Sequence, residues 1–356
     1  MDELLTMLQD LTDAPGISGY EGEVRKVIER YMRGYAEITH DRLGSIICKK
    51  AGQSDRPRIM IAGHMDEIGF IVTLITKEGF LKFQTAGGWW EQVMLAQRVV
   101  VKTAKGDVVG VIGSKPPHIL SADERSKVVQ KKDMFIDVGA TSEEEVRAMG
   151  VRPGDPVVPF SPFAVMKNEK MLMAKAWDDR LGCALFIDVI KALQGVDHPN
   201  TVYGVGTTQE EVGLRGATTS SNVIQPDIGI ALEVGIAGDM PGVKPEDAQE
   251  KLGLGPALLL YDGSMIPNPR LRELVIATAE ENHIPYQFDA MPGGGTDAGR
   301  MHVTGPGAAS IVIGIPTRYI HSHQGIIHRD DYVNSVKLVL ALVKKLDERT
   351  VASLTD

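Results

Sequence analysis

The chain has 356 residues, of which 43% are hydrophobic and 24% charged, and a formal net charge of −9. This length favours about two domains, and the acidity argues against a general binder of nucleic acid or anionic membranes, because both need basic surfaces. Two cysteines, Cys48 and Cys183, are too few for a disulfide scaffold. The acidic start and the lack of a long apolar run argue against a secretory signal and a transmembrane helix, so we expect a cytoplasmic protein.

The N-terminal region predicts two helices followed by a buried strand. Leucines at helical spacing define a first helix that ends near Ala14, and Val24 to Tyr31 supply the apolar face of a second. Residues 58–64 are a short apolar run that ends in polar residues. We therefore predict a buried strand with His64 at its C-terminal end.

Between about Gly69 and Phe163 the pattern changes. Short runs rich in Val, Ile and Phe, at 70–75, 99–102 and 134–138, alternate with turn signals, which is typical of a β-rich unit with hairpins. One helical turn is predicted at 142–149, where Ser142 and Glu145 are suited to a capping box.

The remainder of the chain alternates strands with helices. Core strands are predicted at 201–208, 227–232 and 308–315, an amphipathic helix at 180–193, and further helices at 271–282 and 333–346. Such alternation indicates an α/β fold with a mainly parallel sheet. We predict an α/β/α domain of residues 1–66 plus 164–356, interrupted by a β-rich insertion of residues 67–163.

Candidate metal ligands follow the predicted strands or begin a predicted helix. Ligands of an open parallel sheet bind beyond the carboxyl ends of its strands, so these side chains are expected to lie on one rim. Imidazoles and carboxylates without a thiolate suit zinc, cobalt or manganese, and a carboxylate can bridge two ions. The predicted ligands are His64, Asp178, Glu211, Glu233 and His321.

Three further roles follow from position in the sequence. Asp178 is the predicted bridge, since it begins a helix where free N–H groups favour a carboxylate. Glu210 is the predicted general base, because it adjoins a ligand without needing to bind metal itself. Asp66 is placed to hydrogen-bond the ring of His64 and so to fix its tautomer.

Several motifs, in order along nearly the whole chain, carry a family resemblance. They are Ser18-Gly19-Tyr20-Glu21, His64-Met65-Asp66-Glu67-Ile68-Gly69, Lys115-Pro116-Pro117-His118, Trp177-Asp178-Asp179-Arg180, Glu210-Glu211-Val212-Gly213-Leu214-Arg215-Gly216-Ala217, Gly293-Gly294-Gly295-Thr296-Asp297-Ala298 and Arg318-Tyr319-Ile320-His321-Ser322. The chain resembles the TET-type, glutamyl-aminopeptidase-like dinuclear metalloaminopeptidases, a family that includes proteins labelled endoglucanase.

The resemblance implies two divalent metal ions, zinc or cobalt with manganese as an alternative. One would be held by His64, Asp178 and Glu233, and the other by Asp178, Glu211 and His321. It implies removal of N-terminal residues from short peptides by a metal-bridging water, with Glu210 as base. The insertion would be a PDZ-like dimerisation domain of a homododecamer. Many relatives have Asp at the position of Glu233, which leaves the preferred metal open.

Other interpretations of the same residues remain open at this point. A glycoside hydrolase of the endoglucanase type, a deacylase or carboxypeptidase on the same metal core, and a scaffold that binds through its insertion are the alternative functions. His323 and His328 compete with His321 as ligand. Trp89-Trp90 would stack on a sugar in a glucanase, although packing at the base of the insertion is the preferred interpretation.

Overall fold

A computed structural model describes residues 2–355. The helices are α1 (Glu3–Asp13), α2 (Gly22–Met32), α3 (Ala122–Arg125), α4 (Glu143–Met149), α5 (Trp177–Ala192), α6 (Arg215–Ile224), α7 (Pro269–Glu281), α8 (Ala298–Met301), α9 (Arg329–Lys345) and α10 (Glu348–Ala352). The strands are β1 (Glu37–His40), β2 (Ile46–Lys50), β3 (Arg58–His64), β4 (Gly69–Ile75), β5 (Phe80–Ala86), β6 (Arg98–Thr103), β7 (Gly106–Gly113), β8 (Phe135–Asp137), β9 (Pro156–Pro159), β10 (Ala164–Val165), β11 (Met171–Ala174), β12 (Thr201–Thr207), β13 (Ile228–Ile236), β14 (Ala257–Asp262), β15 (Gln287–Met291), β16 (Ala309–Arg318) and β17 (Gly325–His328).

The large sheet is mixed rather than mainly parallel. Its 11 strands run in the order β1-β2-β12-β3-β13-β16-β17-β11-β10, with β14 also beside β16 and β15 beyond β14. The four central strands, β12, β3, β13 and β16, are mutually parallel. Outside this centre, β14 and β15 pair parallel with α7 between them, whereas the other pairings are antiparallel; short connections join β1 to β2 and β16 to β17 without a crossover helix. The parallel prediction therefore holds for the centre of the sheet.

Strands β4 to β9 form a separate closed barrel in the order β4-β5-β8-β7-β6-β9. A closed antiparallel barrel leaves no unpaired edge, and this one encloses its own apolar cluster around Phe70, Val99 and Ile136. The predicted helical turn is α4. Only half of its predicted capping box forms, because Ser142 accepts from the Glu145 N–H while the Glu145 carboxylate accepts from the Thr141 N–H.

Helix α5 is buried on nearly all sides, in contrast to the predicted amphipathic helix. It packs on β3 and β13 and is covered by α1, α2 and α9. Glycines allow this close approach, since a Cβ on Gly63 would lie 2.4 Å from the carbonyl carbon of Gly182. The approach brings the start of α5 against the end of β3, where the predicted ligands lie.

A buried ionic cluster lies where the chain passes from the sheet into the barrel. The Glu67 carboxylate accepts hydrogen bonds of 2.6 and 2.7 Å from the Lys175 ammonium and lies 3.5 Å from the Arg180 guanidinium. All three side chains are almost inaccessible to solvent. Buried charges of this kind need such pairing.

No helix within residues 2–355 combines the length and apolarity that a bilayer crossing requires.

Candidate active site

His64 ends β3 at the carboxyl edge of the parallel strands, and its side chain is buried. Its ring Nδ1 lies 2.9 Å from the backbone carbonyl of Asp66. Because a carbonyl oxygen only accepts, Nδ1 carries a proton and donates it to this contact. Nε2 lies 2.8 Å from Oδ1 of Asp178. Two acceptor atoms at that distance need a proton or a metal ion between them.

The Asp178 carboxylate lies between two imidazoles. Its Oδ1 faces His64, and its Oδ2 lies 3.3 Å from Nε2 of His321. Asp178 has non-helical dihedral angles within the first turn of α5 (φ −80°, ψ 106°). His321 follows β16 in a left-handed conformation with φ 53°. The structure thus brings together the predicted bridge and one histidine on each side of it.

Glu210 and Glu211 follow β12, and the Asp66 carboxylate holds both. It accepts from the Glu210 N–H at 2.9 Å, the Glu211 N–H at 3.2 Å and the Ser18 hydroxyl at 2.6 Å. Asp66 thus has a second contact role besides the predicted support of His64, which stays a prediction. Its backbone carbonyl orients the His64 ring, while its carboxylate, 3.5 Å from that ring at Oδ1, fixes the two glutamates.

Glu233 lies in β13 and lines the same cavity as the other predicted ligands. Donor atoms of His64, Glu210 and Glu233 lie within 4.8 Å of one another, and so do those of His64, Asp178 and Glu211. These compact groups differ from the two expected ligand sets. Glu210 replaces Asp178 in the first, and His64 replaces His321 in the second.

The cluster carries a large excess of negative charge. Burial, followed by the charge of neighbouring acids, raises the pKa of Glu211 to about 8 and the pKa values of Glu210 and Glu233 well above their usual range. Burial alone would lower the histidine pKa values, but the adjacent carboxylates outweigh it and raise the pKa of His321 to about 9 and that of His64 well above its usual value. Oε1 of Glu211 is buried without a hydrogen-bond partner. A site that attracts this much positive charge fits two divalent cations.

Two supporting carboxylates were not predicted from the sequence. Asp179 accepts from the backbone N–H of His64 at 3.0 Å, and Glu21 accepts from the backbone N–H of Gln209 at 3.0 Å. Each one fixes a backbone segment that carries a predicted site residue. Both lie in the motifs quoted above, so the signal was present, but no role was predicted for either residue.

The competing histidines lie elsewhere. His323 is buried against Trp89, with ring centroids 5.0 Å apart, and burial lowers its pKa to about 4. His328 caps α9 by accepting from the Asp330 N–H. Of these three candidates, His321 is the one beside Asp178. Trp89 packs against the apolar cluster of the barrel, whereas Trp90 is exposed.

A cavity of about 800 Å³ opens from the cluster. The glycine loop at 293–295 forms one wall, and Leu214, Ile236 and Met291 supply apolar surface. This volume and mixture of polar and apolar walls suit a small ligand.

Comparison with known proteins gives consistent matches. The family model described as M42 glutamyl aminopeptidase matches residues 44–338, and the model AMPT matches residues 2–28. FrvX of Escherichia coli is 41% identical, covering 98% of this chain and 97% of its own. A TET aminopeptidase structure from a Thaumarchaeota archaeon has a TM-score of 0.97 at 53% identity, over 99% of both chains. The TET1 peptidase of Pyrococcus horikoshii, which can form a tetrahedron or an octahedral shell, has a TM-score of 0.88 at 34% identity, over 97% of this chain and 100% of its own. The related structure PhTET1-12s is a dodecamer.

Proposed function

The chain belongs to the M42 glutamyl aminopeptidase family, and from this premise we propose that it is a dinuclear metal-dependent aminopeptidase acting on short peptides. One observation carries the proposal. The Asp178 carboxylate contacts the imidazoles of both His64 and His321, and Glu210 lines the same cavity. This arrangement suits two adjacent cations with a base beside them.

We assign one metal ion to His64, Asp178 and Glu233, and the other to Asp178, Glu211 and His321. Zinc or cobalt is favoured and manganese is the alternative, because the donors are imidazole nitrogens and carboxylate oxygens without a thiolate. When bound, such ions polarise a peptide carbonyl and lower the pKa of water. The unpartnered Glu211 oxygen and the crowded carboxylates support this assignment.

Glu210 acts as the general base in this proposal. Its carboxylate takes a proton from the attacking water and returns it to the leaving amine. Its Oε2 lies 3.9 Å from Nε2 of His64, so the base borders the ligand cluster. Burial raises the pKa of Glu210 well above its usual range, which favours uptake of a proton by this carboxylate.

Residues 67–163 are proposed to be a PDZ-like assembly domain, and residues 1–66 with 164–356 the catalytic domain. The barrel exposes apolar side chains at Val109, Val111 and Ile119, which suit a protein interface. We propose a homododecamer whose enclosed interior admits short unfolded peptides. Light scattering should give twelve times the 38.6 kDa chain mass, and a monomer would contradict this part of the proposal.

The defining experiment uses aminoacyl chromogenic substrates on chelated enzyme that is then reloaded with zinc, cobalt or manganese. We expect activity to be lost on chelation and restored on reloading. Glu210→Gln should lower kcat by about 10²–10⁴ while the metals stay bound. Glu169→Gln, an exposed substitution in the turn between β10 and β11, is the matched control. Full activity of Glu210→Gln with metals bound would contradict the assignment.

Paired substrates separate the alternatives. An aminopeptidase must reject an N-acetylated peptide that it cleaves when the amine is free, whereas a deacylase attacks the blocked form. A glycoside hydrolase needs two carboxylates flanking the bond and no metal, so its activity would survive chelation. The paired histidines around Asp178 have no role in that reaction.

A further inference from the structure

The loop that leaves strand β5 of the barrel reaches the ligand cluster of the sheet. Gly87 and Gly88 directly follow the last residue of β5. A Cβ on Gly87 would lie 3.0 Å from Oε2 of Glu211. A Cβ on Gly88 would lie 3.0 Å from Nδ1 of His321. The barrel backbone therefore packs closely against two of the proposed metal ligands, and a side chain at either position would crowd them.

The two ligands beside this loop are the ones assigned to the second metal ion alone. Asp178 is shared between both ions in that assignment, whereas Glu211 and His321 complete only the second site. The atoms nearest to the added Cβ positions belong to Ile68, Glu211 and His321. The contact between barrel and sheet is therefore one-sided, and it bears on one ion of the proposed pair.

The two histidines of the site differ in what orients their rings. Nδ1 of His64 donates to the carbonyl of Asp66, two residues further along the same segment, at 2.9 Å. Nε2 of His321 faces the Asp178 carboxylate, and its Nδ1 faces Gly88 of the barrel. Burial lowers the pKa of the His321 ring, whereas the Asp178 carboxylate and a backbone hydrogen bond with Gly88 raise it. A contact that favours the protonated ring is an acceptor, so the Gly88 carbonyl accepts from the ring.

Trp89 fixes the barrel loop against the segment that carries His321. Its ring stacks on Phe70 of the barrel core with centroids 4.6 Å apart, and its centroid lies 5.0 Å from that of His323. Tyr319 and His321 have φ values of 62° and 53°. Residues other than glycine rarely adopt this left-handed conformation, and it persists only where the surroundings hold it. The packing of Trp89 supplies such a hold from the side of the barrel.

We propose that Gly88 is a positioning residue for the second metal ion and that Trp89 holds it in place. The Gly88 backbone orients the His321 ring and, without a side chain, leaves room for it. The barrel thereby sets the affinity of the ion that His321 binds, although it supplies no ligand itself. The inference rests on the proposed dinuclear site and adds the barrel loop to the structure that supports it.

The first variant is Gly88→Ala. Its φ lies outside the left-handed region, so alanine fits the backbone, but the methyl group would press on the His321 ring. Metal–ligand distances tolerate deviations of only about 0.2 Å, and groups that orient a ligating histidine contribute about ten- to hundredfold to metal affinity. We expect the affinity for the second ion to fall by about that factor and the affinity for the first to stay unchanged.

The measurement is metal content rather than activity. Zinc-loaded enzyme is dialysed against buffers of graded free zinc, and bound zinc per chain is determined by atomic emission. Gly22→Ala is the matched control, because its added Cβ meets nothing within 4 Å, and it should leave both affinities unchanged. His321→Ala identifies the second ion, since it removes a ligand of that ion. Adding Gly88→Ala to His321→Ala should cause no further loss of zinc.

A second pair of variants tests the hold on the loop. Trp89→Phe keeps an aromatic ring against Phe70 and His323, whereas Trp89→Ala removes it. Trp89→Ala should weaken the second ion by about tenfold, and Trp89→Phe should bind both ions as the wild type does. If Gly88→Ala fails to fold, this pair decides.

The outcomes separate the inference from the proposed function. Wild-type affinity for both ions in Gly88→Ala overturns the inference and leaves the dinuclear aminopeptidase standing. Equal weakening of both ions also overturns it, because that result reflects a general disturbance of the fold, and so does a further loss in the double variant. A wild-type enzyme that binds no second ion would remove the proposed dinuclear site and the inference together.

Discussion

The substitution Asp66→Asn tests whether the proposed general base, Glu210, depends on a carboxylate that is not among the proposed metal ligands. The two Asp66 oxygens accept three hydrogen bonds, from the N–H groups of Glu210 and Glu211 and from the Ser18 hydroxyl. An amide has only one accepting oxygen. In either orientation its NH₂ group faces one of the two backbone donors, while the hydroxyl can rotate to accept.

The expected magnitudes follow from this loss. A buried donor left without an acceptor costs about 1–3 kcal/mol, and the lost bond is to a charged group, so we expect about 2–3 kcal/mol of destabilisation. The apparent Tm should fall by roughly 4–6 °C at about 2 °C per kcal/mol. The shifted peptide displaces Glu210, and a displacement of about 1 Å can lower kcat/KM about 100-fold.

The assay combines differential scanning fluorimetry, kcat/KM on an aminoacyl chromogenic substrate, and metal content by atomic emission. Ser18→Ala is the matched control, since it removes one donor to the same carboxylate and leaves both backbone N–H groups bonded. It should reduce kcat/KM far less. Wild-type kcat/KM and Tm in Asp66→Asn would refute the reasoning, because the two glutamates would then be held by something other than this carboxylate.

Three further predictions concern stability. Glu67→Gln should lower the free energy of unfolding in chemical denaturation by about 3–5 kcal/mol, because two buried cations lose their anion. The exposed control Glu23→Gln should lower it by less than about 1 kcal/mol. Equal losses in the two variants would contradict this prediction. Gly63→Ala should lower the free energy of unfolding by about 1–3 kcal/mol, because the new Cβ would lie 2.4 Å from the backbone of Gly182. An unchanged Tm would contradict this and show that α5 can move away. In the folded state, burial and neighbouring acids raise the pKa of Glu250 well above 4.5, its ordinary value in the unfolded chain. Between the unfolded and the folded pKa, the folded state binds one more proton. The free energy of unfolding therefore falls as pH rises, by up to about 1.4 kcal/mol per pH unit. Glu250→Gln should remove that slope. The free energy of unfolding of wild type and variant is measured by denaturation at pH 5 and pH 8, and an equal decrease in both proteins would contradict the prediction.

Much of the fold was readable because the pattern of apolar residues is strong at the centre of the sheet. Strand β3 was predicted with its observed bounds, and β12, β13 and β16 were found within a few residues. The hairpin of β1 and β2 was missed, and so were β10, β11, β14, β15 and β17. These strands lie away from the parallel centre, and several are half exposed, so their pairing depends on neighbours that a local pattern does not identify.

The sequence predicted which residues would lie together in the candidate site, but it did not predict most of the contacts between them. Sequence position placed His64, Glu210 and Glu233 near one rim because parallel strands end together. The turn after β3 determines which atom of Asp66 faces the His64 ring. The Asp66 carboxylate accepts hydrogen bonds from backbone N–H groups about 145 positions further along the chain. Contacts over such separations follow from packing rather than from spacing.

The buried carboxylate of Glu67 constrains how the barrel can be exchanged. It is the third residue after His64, and its ammonium and guanidinium partners belong to the start of α5 and the segment before it. Grafting a different barrel onto this chain therefore requires the graft to keep an anion at position 67. Without it, two positive charges would remain in the interior beside the proposed active site, so a change meant for the proposed assembly domain would also disturb the proposed metal ligands.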